Sequence, residues 1–143
     1  MAGFAVIDAG QIAPRNWRNA LKRGLIGRCP NCGEGHLFTA YLKVAPGCTA
    51  CGEDFSHQRA DDAPPYVTMF LVGHIVVALF MALESATESM PMWGQMVFWP
   101  LLAAGLSLAL LPRVKGALIG YQWALRMHGF GEEEPAIRVF ERF

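Results

Sequence analysis

Two long stretches of the chain contain only apolar and uncharged residues. Residues 66–83 read YVTMFLVGHIVVALFMAL, and residues 92–111 read MWGQMVFWPLLAAGLSLALL. At 1.5 Å per residue even the shorter run forms roughly 27 Å of helix, close to the thickness of a hydrocarbon core. Two buried helices of a soluble protein are the alternative, but little chain remains to cover helices that are apolar on every side. The pattern therefore predicts a mainly α-helical membrane protein with a transmembrane hairpin.

The segment that precedes these runs, residues 1–28, contains a short amphipathic pattern. Trp17, Leu21, Gly24 and Leu25 recur at helical spacing, with basic residues among them. Apolar residues beside cations on one short helix are typical of a helix that lies on anionic lipid. A solvated basic linker is the alternative, because glycine weakens a helix.

A second amphipathic pattern follows the second apolar run, in residues 113–143. Apolar residues recur there at helical intervals, while basic and amide side chains occupy the other faces. We predict that an amphipathic helix follows Pro112 and leaves the membrane. Three glutamates and the sequence PAIRVFERF then form an acidic tail. The apolar positions of the predicted helix are Val114, Ala117, Leu118, Tyr121 and Leu125.

Composition agrees with a membrane protein and limits the other classes. Of the 143 residues, 53% are hydrophobic and 17% are charged, so the chain is more apolar than a typical soluble domain. The length excludes a multidomain enzyme. Twelve Lys and Arg balance twelve Asp and Glu. The chain therefore has no overall positive charge to attract the phosphates of a nucleic acid, and nucleic acid is not an expected partner.

The positions of the basic residues predict an orientation. Seven precede the first apolar run, five follow the second, and the connector 84–91 contains none. Because Lys and Arg collect on the cytoplasmic side of a membrane, both termini are expected in the cytoplasm. The first residues lack the apolar core and cleavage pattern of a signal peptide. We therefore expect an inner-membrane protein whose first partner is the lipid bilayer.

All four cysteines belong to one repeated pattern. Cys29 and Cys32 lie in CPNCG, Cys48 and Cys51 lie in CTACG, and fifteen residues separate the pairs. This spacing is typical of a zinc ribbon, and the glycine after each pair lets the backbone turn its N–H groups towards the sulfurs. Two disulfides are a weaker alternative in a reducing cytosol. A redox pair and rubredoxin-like iron also use such cysteines, so iron stays open as the metal.

Four thiolates would fill a tetrahedral zinc site and leave no position for water or substrate. The metal is therefore expected to be structural. Between the cysteine pairs, apolar residues over 37–44 predict a short pair of strands above the site. His36 and His57 lie near the pairs, but the four cysteines already complete the coordination of the ion. We therefore interpret both histidines as surface or supporting residues.

Three further polar residues are candidates for function at or in the membrane. His74 is near the middle of the first apolar run, and an ionisable residue at that depth is a functional hypothesis by default. Its structural interpretation is a neutral imidazole bonded to a backbone carbonyl. Asp61 and Asp62 precede the same run. They suit the positive end of a helix dipole, or they could bind a cation or a partner's arginine.

Several of these stretches resemble a known family. The sequences RCPNCGEGHLF, LKVAPGCTACGEDFSHQRADDAPPY, VGHIVV and LALLPRVKGALIGYQWALRMHGF are similar to the bacterial domain-of-unknown-function family 983, over roughly residues 21–130. The resemblance implies a small membrane protein with two spans and this cysteine pattern. Genes of that family often lie near those for haem-copper cytochrome oxidase and its assembly factors, which implies a partner among the oxidase components.

The sequence thus predicts four segments: an N-terminal segment over 1–28, a cytoplasmic zinc-ribbon-like module over 29–60, a transmembrane hairpin over 61–112, and an amphipathic helix with an acidic tail over 113–143. We expect a non-enzymatic integral membrane protein with a structural zinc site, acting as an accessory or assembly factor for a respiratory complex. The alternative is a membrane-boundary enzyme or metal carrier that uses Asp61, Asp62 and His74.

Overall fold

A computed structural model describes residues 15–130 of the chain. The predicted acidic tail and the first half of the N-terminal segment lie outside the described residues. The described part is mainly helical, with one small antiparallel hairpin between two cysteine turns. In chain order the elements are α1 (Trp17–Leu25), β1 (Phe38–Ala40), β2 (Lys43–Val44), α2 (Ala63–Thr87), α3 (Met92–Ala124) and a 3₁₀ turn (Met127–Gly129).

The two long helices, α2 and α3, contain the two apolar runs. Helix α2 has prolines in its first turn, where the missing N–H costs nothing, and α3 begins directly after Pro91. A short turn joins them, and the Gln95 side chain fastens it by donating to the Thr87 carbonyl at 2.9 Å. Both helices are long and apolar enough to cross a membrane. Only 11% and 6% of their most apolar windows are buried by protein, whereas a soluble core helix would be mostly covered.

Helix α3 does not end where the sequence predicted. It continues through Pro112 to Ala124 as one helix of 33 residues, about 50 Å long, so the helix predicted from residue 113 is the last part of α3 and does not start anew after Pro112. A proline inside a helix leaves the carbonyl four residues earlier without its donor. Here the hydroxyl of Tyr41, next to the hairpin strands, donates to that carbonyl of Leu108 at 2.7 Å. A side chain from another element thus replaces the bond that Pro112 removes.

Helix α1 packs along the far end of α3, and the two run antiparallel. Its start is capped by Asn16, whose side chain accepts from two backbone N–H groups. Gly24 of α1 lies against Gly116 of α3, and Ala20 lies against Gly120, so closely that a methyl group on either α3 glycine would overlap the α1 backbone. The small-residue side of the segment predicted to lie on lipid is therefore covered by protein. Lipid contact by its exposed side stays a prediction.

The cysteine module and the end of α3 share one hydrophobic core. Leu37 and Phe55 of the module are 0% and 1% exposed and belong to one cluster with Ile119 of α3, also 0% exposed. Strands β1 and β2 pair antiparallel, as the sequence predicted for residues 37–44. The module is consequently not a separate ribbon on a linker, because part of its core is the last two turns of α3.

Candidate metal centre

The two cysteine pairs form two copies of the same turn. The N–H of Gly33 donates to the carbonyl of Cys29, and the N–H of Gly52 donates to that of Cys48, both at 2.9 Å. Gly33 and Gly52 have φ angles of +79° and +76°, in the left-handed region that favours glycine. The turn therefore favours glycine after each pair. This is the local geometry that the repeated sequence predicted.

The two turns bring the four sulfurs together. All four Sγ atoms lie within 4.8 Å of one another, and the Cys29–Cys51 and Cys32–Cys48 sulfurs are each 3.7 Å apart. Around a tetrahedral ion with Zn–S bonds of about 2.3 Å, sulfurs are separated by about 3.8 Å. The residues present therefore fit a tetrahedral thiolate-bound metal. The cysteines are free thiols, so the structure does not have the two disulfides considered above.

The surroundings of the four thiols differ. Burial raises the pKa of Cys29 to about 12, whereas backbone N–H groups of Gly35 and Glu34 lower the pKa of Cys32 to about 6. Without a metal the site therefore holds a mixture of thiolate and thiol. Because metal binding needs thiolates, it must release protons, and acid will weaken it.

Gly35 leaves room for one of the sulfurs, and this carries a prediction. A methyl group at Gly35 would overlap the Sγ of Cys48, although the backbone of Gly35 is not in the left-handed region. We expect Gly35→Ala to lower metal affinity by at least about tenfold, because the sulfur must shift from its bonding position. Competition with a chromophoric zinc chelator measures this loss.

Gly52→Ala is the matched control for that variant. A methyl group at Gly52 meets nothing within 4 Å, but its φ of +76° disfavours alanine. It should therefore cost stability, about 1 kcal/mol, and lower the zinc affinity less than Gly35→Ala does, because no side chain displaces a sulfur. Equal zinc affinity for Gly35→Ala and the unchanged protein would contradict the steric argument.

A chain of hydrogen bonds joins the metal site to α3. The amide of Asn31 lies 3.7 Å from the Cys51 sulfur and donates to one carboxylate oxygen of Glu53 at 3.1 Å. The other oxygen of Glu53 accepts from the indole N–H of Trp123 at 2.8 Å. The guanidinium carbon of Arg15 lies 4.1 Å from the centre of the Trp123 ring, and the same guanidinium donates to the backbone carbonyl of Trp123. The position of the second turn is thus coupled to the end of α3.

Two more side chains hold the module in place. Arg23 of α1 donates to the carbonyls of Pro30 and Asn31 inside the first cysteine turn, at 3.1 and 2.5 Å. Gln122 of α3 both accepts from the backbone N–H of Arg59 and donates to its carbonyl, at 3.1 and 3.0 Å. The positions of Gln122 and Glu53 in the sequence carry no signal for these contacts, and the basic residue Arg23 binds carbonyls of the first cysteine turn.

The other candidates from the sequence do not join the metal site. Among the described residues, the group able to hold a metal consists of the four cysteines alone. His57 lies 3.8 Å from the Asp54 carboxylate and against the Phe130 ring. His36 pairs with Arg28 in an isolated backbone bridge. Neither histidine is placed as a ligand.

Asp61, Asp62 and His74 do not converge on one site. Asp62 is the residue before α2, and both aspartates are exposed. His74 lies about 18 Å further along the helix axis, twelve residues on. Its Nδ1 is 2.8 Å from the carbonyl of Phe70, and the two rings stack at 4.1 Å. His74 thus makes the contact to a backbone carbonyl that its structural interpretation expects.

The fold and the sulfur geometry define a class: a small protein in which a four-cysteine metal module is built onto one of two long apolar helices. The chain matches the family described as Protein of unknown function (DUF983) over residues 38–123, and it belongs to that family. The match includes the second cysteine pair and both long helices but starts after Cys29 and Cys32. No curated protein and no solved structure matches the chain.

Proposed function

We propose that the chain is a non-enzymatic integral protein of the bacterial inner membrane with a structural zinc ion. In this proposal the module lies in the cytoplasm and the protein serves as an accessory or assembly factor for a respiratory complex containing haem-copper cytochrome oxidase. The observation that carries it is the set of four converging sulfurs. They fill the coordination of zinc, so the ion organises the chain and offers no place for a substrate.

The helices support a role in assembly with other proteins. Large apolar side chains along α2 and α3 are exposed, among them Phe70 at 66%, Met81 at 68% and Leu101 at 66%. Lipid can cover such surfaces, and so can the helices of a larger complex. The oxidase as partner rests on the family resemblance alone.

The first experiment tests the membrane and the metal together. The protein should sediment with inner membranes after a carbonate wash, and elemental analysis of the purified protein should find one zinc per chain. Iron in place of zinc would overturn the metal assignment, and release by carbonate would overturn the integral membrane location. Labelling of the module in intact cells by a membrane-impermeant reagent would overturn the orientation.

A second experiment tests the partner. Affinity purification from mild detergent should recover oxidase subunits or their assembly factors, and a deletion strain should contain less assembled oxidase. A Pro91→Ala variant is the control. Its change lies in the turn between α2 and α3, on the opposite side of the spans from the module, so the metal site should stay intact. Normal oxidase levels in the deletion strain would contradict the assembly role without touching the metal assignment.

A further inference from the structure

A groove lies where α1, β1 and α3 meet, beside the end of the charge-free part of α3. Its volume is about 440 Å³. Because α1 runs antiparallel on α3, the last residues of α1 reach the level of Pro112, the residue after the apolar run. In the proposed membrane this is the cytoplasmic boundary. The lining residues are Leu25, Ile26, Gly27, Phe38, Pro112 and Arg113.

The groove has an apolar wall that the described protein leaves open. Ile26 is 71% exposed, more than any other large apolar side chain of the described residues outside α2 and α3. Leu25 beside it is 37% exposed. Because both side chains line the same groove, they offer an apolar partner a continuous surface. At the boundary of a bilayer that partner is an acyl chain.

The chain segments that supply the lining of the groove carry charge of one sign, and Arg113 is the charged residue of the lining itself. The segments 25–28, 38–44 and 108–115, which line or flank it, contain four basic residues and no acidic one. Arg113 donates from Nη1 to the Ala109 carbonyl, and among the described residues no carboxylate forms an ion pair with it. The Arg113 side chain therefore extends back along α3 towards the apolar run. The basic residues are Arg28, Lys43, Arg113 and Lys115.

We propose that this groove binds an anionic glycerophospholipid, with the phosphate at Arg113 and an acyl chain against Leu25 and Ile26. A guanidinium matches a phosphate in shape and charge, and basic pockets on the cytoplasmic side of membrane helices are suited to acidic headgroups. A free phosphate ion would use Arg113 but would leave the apolar wall uncovered. The location at the boundary rests on the proposed membrane function, whereas the groove and its charge do not.

The test is native mass spectrometry of the zinc-loaded full chain in detergent, titrated with phosphatidylglycerol or with phosphatidylcholine of the same acyl chains. We expect one phosphatidylglycerol per chain, bound more tightly than phosphatidylcholine. Arg113→Gln should weaken phosphatidylglycerol binding roughly fivefold, the contribution of one cation near an anionic surface. Ile26→Ser should weaken binding of both lipids. Both residues are exposed, so neither variant should disturb folding, and zinc content checks this.

Arg18→Gln is the matched control, because Arg18 lies at the opposite end of α1 and stacks on Trp17 at 5.3 Å. It should bind both lipids as the unchanged protein does. Equal binding of the two lipids, or no effect of Arg113→Gln, would overturn the headgroup site. No effect of Ile26→Ser would overturn the acyl-chain contact. Displacement of phosphatidylglycerol by millimolar inorganic phosphate would show a free-phosphate site and would also overturn the proposal.

Discussion

Cys48→Ser should remove the metal and unfold the cysteine module while α2 and the part of α3 before Pro112 stay helical. Cys48 is 5% exposed, and its sulfur lies 3.7 Å from that of Cys32. Structural zinc sites contribute on the order of 10 kcal/mol of apparent binding free energy at neutral pH, and in such small modules this is folding free energy. Losing one of four thiolates should therefore leave less than is needed to order the two turns, the hairpin and their shared core.

Trp123 provides the measurement. Its indole is 7% exposed and bonded to Glu53 of the module, so unfolding of the module should expose it. In a background where Trp17, Trp93 and Trp99 are phenylalanine, we expect its fluorescence to shift to the red in Cys48→Ser and on chelation of the metal. Elemental analysis should find no zinc in the variant, and far-ultraviolet circular dichroism should keep most of its helical signal.

Thr49→Ala is the control, because Thr49 is exposed in the same turn and contributes no sulfur. It should retain zinc and the unshifted Trp123 emission. If Cys48→Ser kept Trp123 buried without zinc, the module would be stable by packing alone and the structural role of the metal would be refuted.

Acidification should act in the same direction as chelation. Metal binding requires deprotonated sulfur, so affinity falls as pH decreases and protons compete for the thiolates. Backbone N–H groups lower the pKa of Cys32 to about 6, whereas burial raises the pKa of Cys29 to about 12, so Cys29 takes up a proton more readily than Cys32. Zinc release and the Trp123 shift should therefore coincide in an acid titration. A Trp123 shift well before zinc release would contradict this coupling.

The local features of the site were predictable from the sequence. Each cysteine turn needs only five consecutive residues, and Gly33 and Gly52 occupy the positions where the turn requires a positive φ. The long helices were predictable because an uncharged run of this length has few other stable states. These predictions depend on neighbours in the chain, and the structure has them at the expected positions.

Contacts between distant residues were not predictable. Pro112 signals the end of a helix because its own segment contains no donor for the carbonyl of Leu108, yet the donor is Tyr41, 67 residues away. From the sequence, Gly24 is a residue that weakens α1. In the structure it lets the backbone of α1 approach Gly116 of α3 closely. In both cases a tertiary contact overrides the local helix propensity. Such a contact joins residues at no fixed spacing, so a single sequence gives no signal for it.

These contacts make the cysteine module and the end of α3 one structural unit. Lys115 of α3 donates to the carbonyl of Leu42 at 3.1 Å, in the same hairpin whose Tyr41 bonds to Leu108. The hairpin is therefore fixed to α3 on both sides of Pro112. Continuous helix across this proline and an ordered module depend on each other, so loss of one should be detected in the other.

Gly116→Leu should separate α1 from α3 and destabilise the unit by at least about 3 kcal/mol, the upper part of the range for overpacking. A side chain at Gly116 meets the carbonyl oxygen of Gly24, which is backbone and cannot rotate away, and Phe38 lies at 3.4 Å. Thermal unfolding in detergent, followed by Trp123 emission, should show a lower midpoint, and α1 should become sensitive to protease.

Gly105→Leu on the same helix is the matched control, because nothing lies within 4 Å of a methyl group placed there. Since glycine is a poor helix former, leucine at that position should be neutral or slightly stabilising. The two variants add the same side chain to α3 and differ only in what surrounds it. If they melted at the same temperature, the close contact of α1 with α3 would not stabilise the protein, and the module would have to be held by its metal alone.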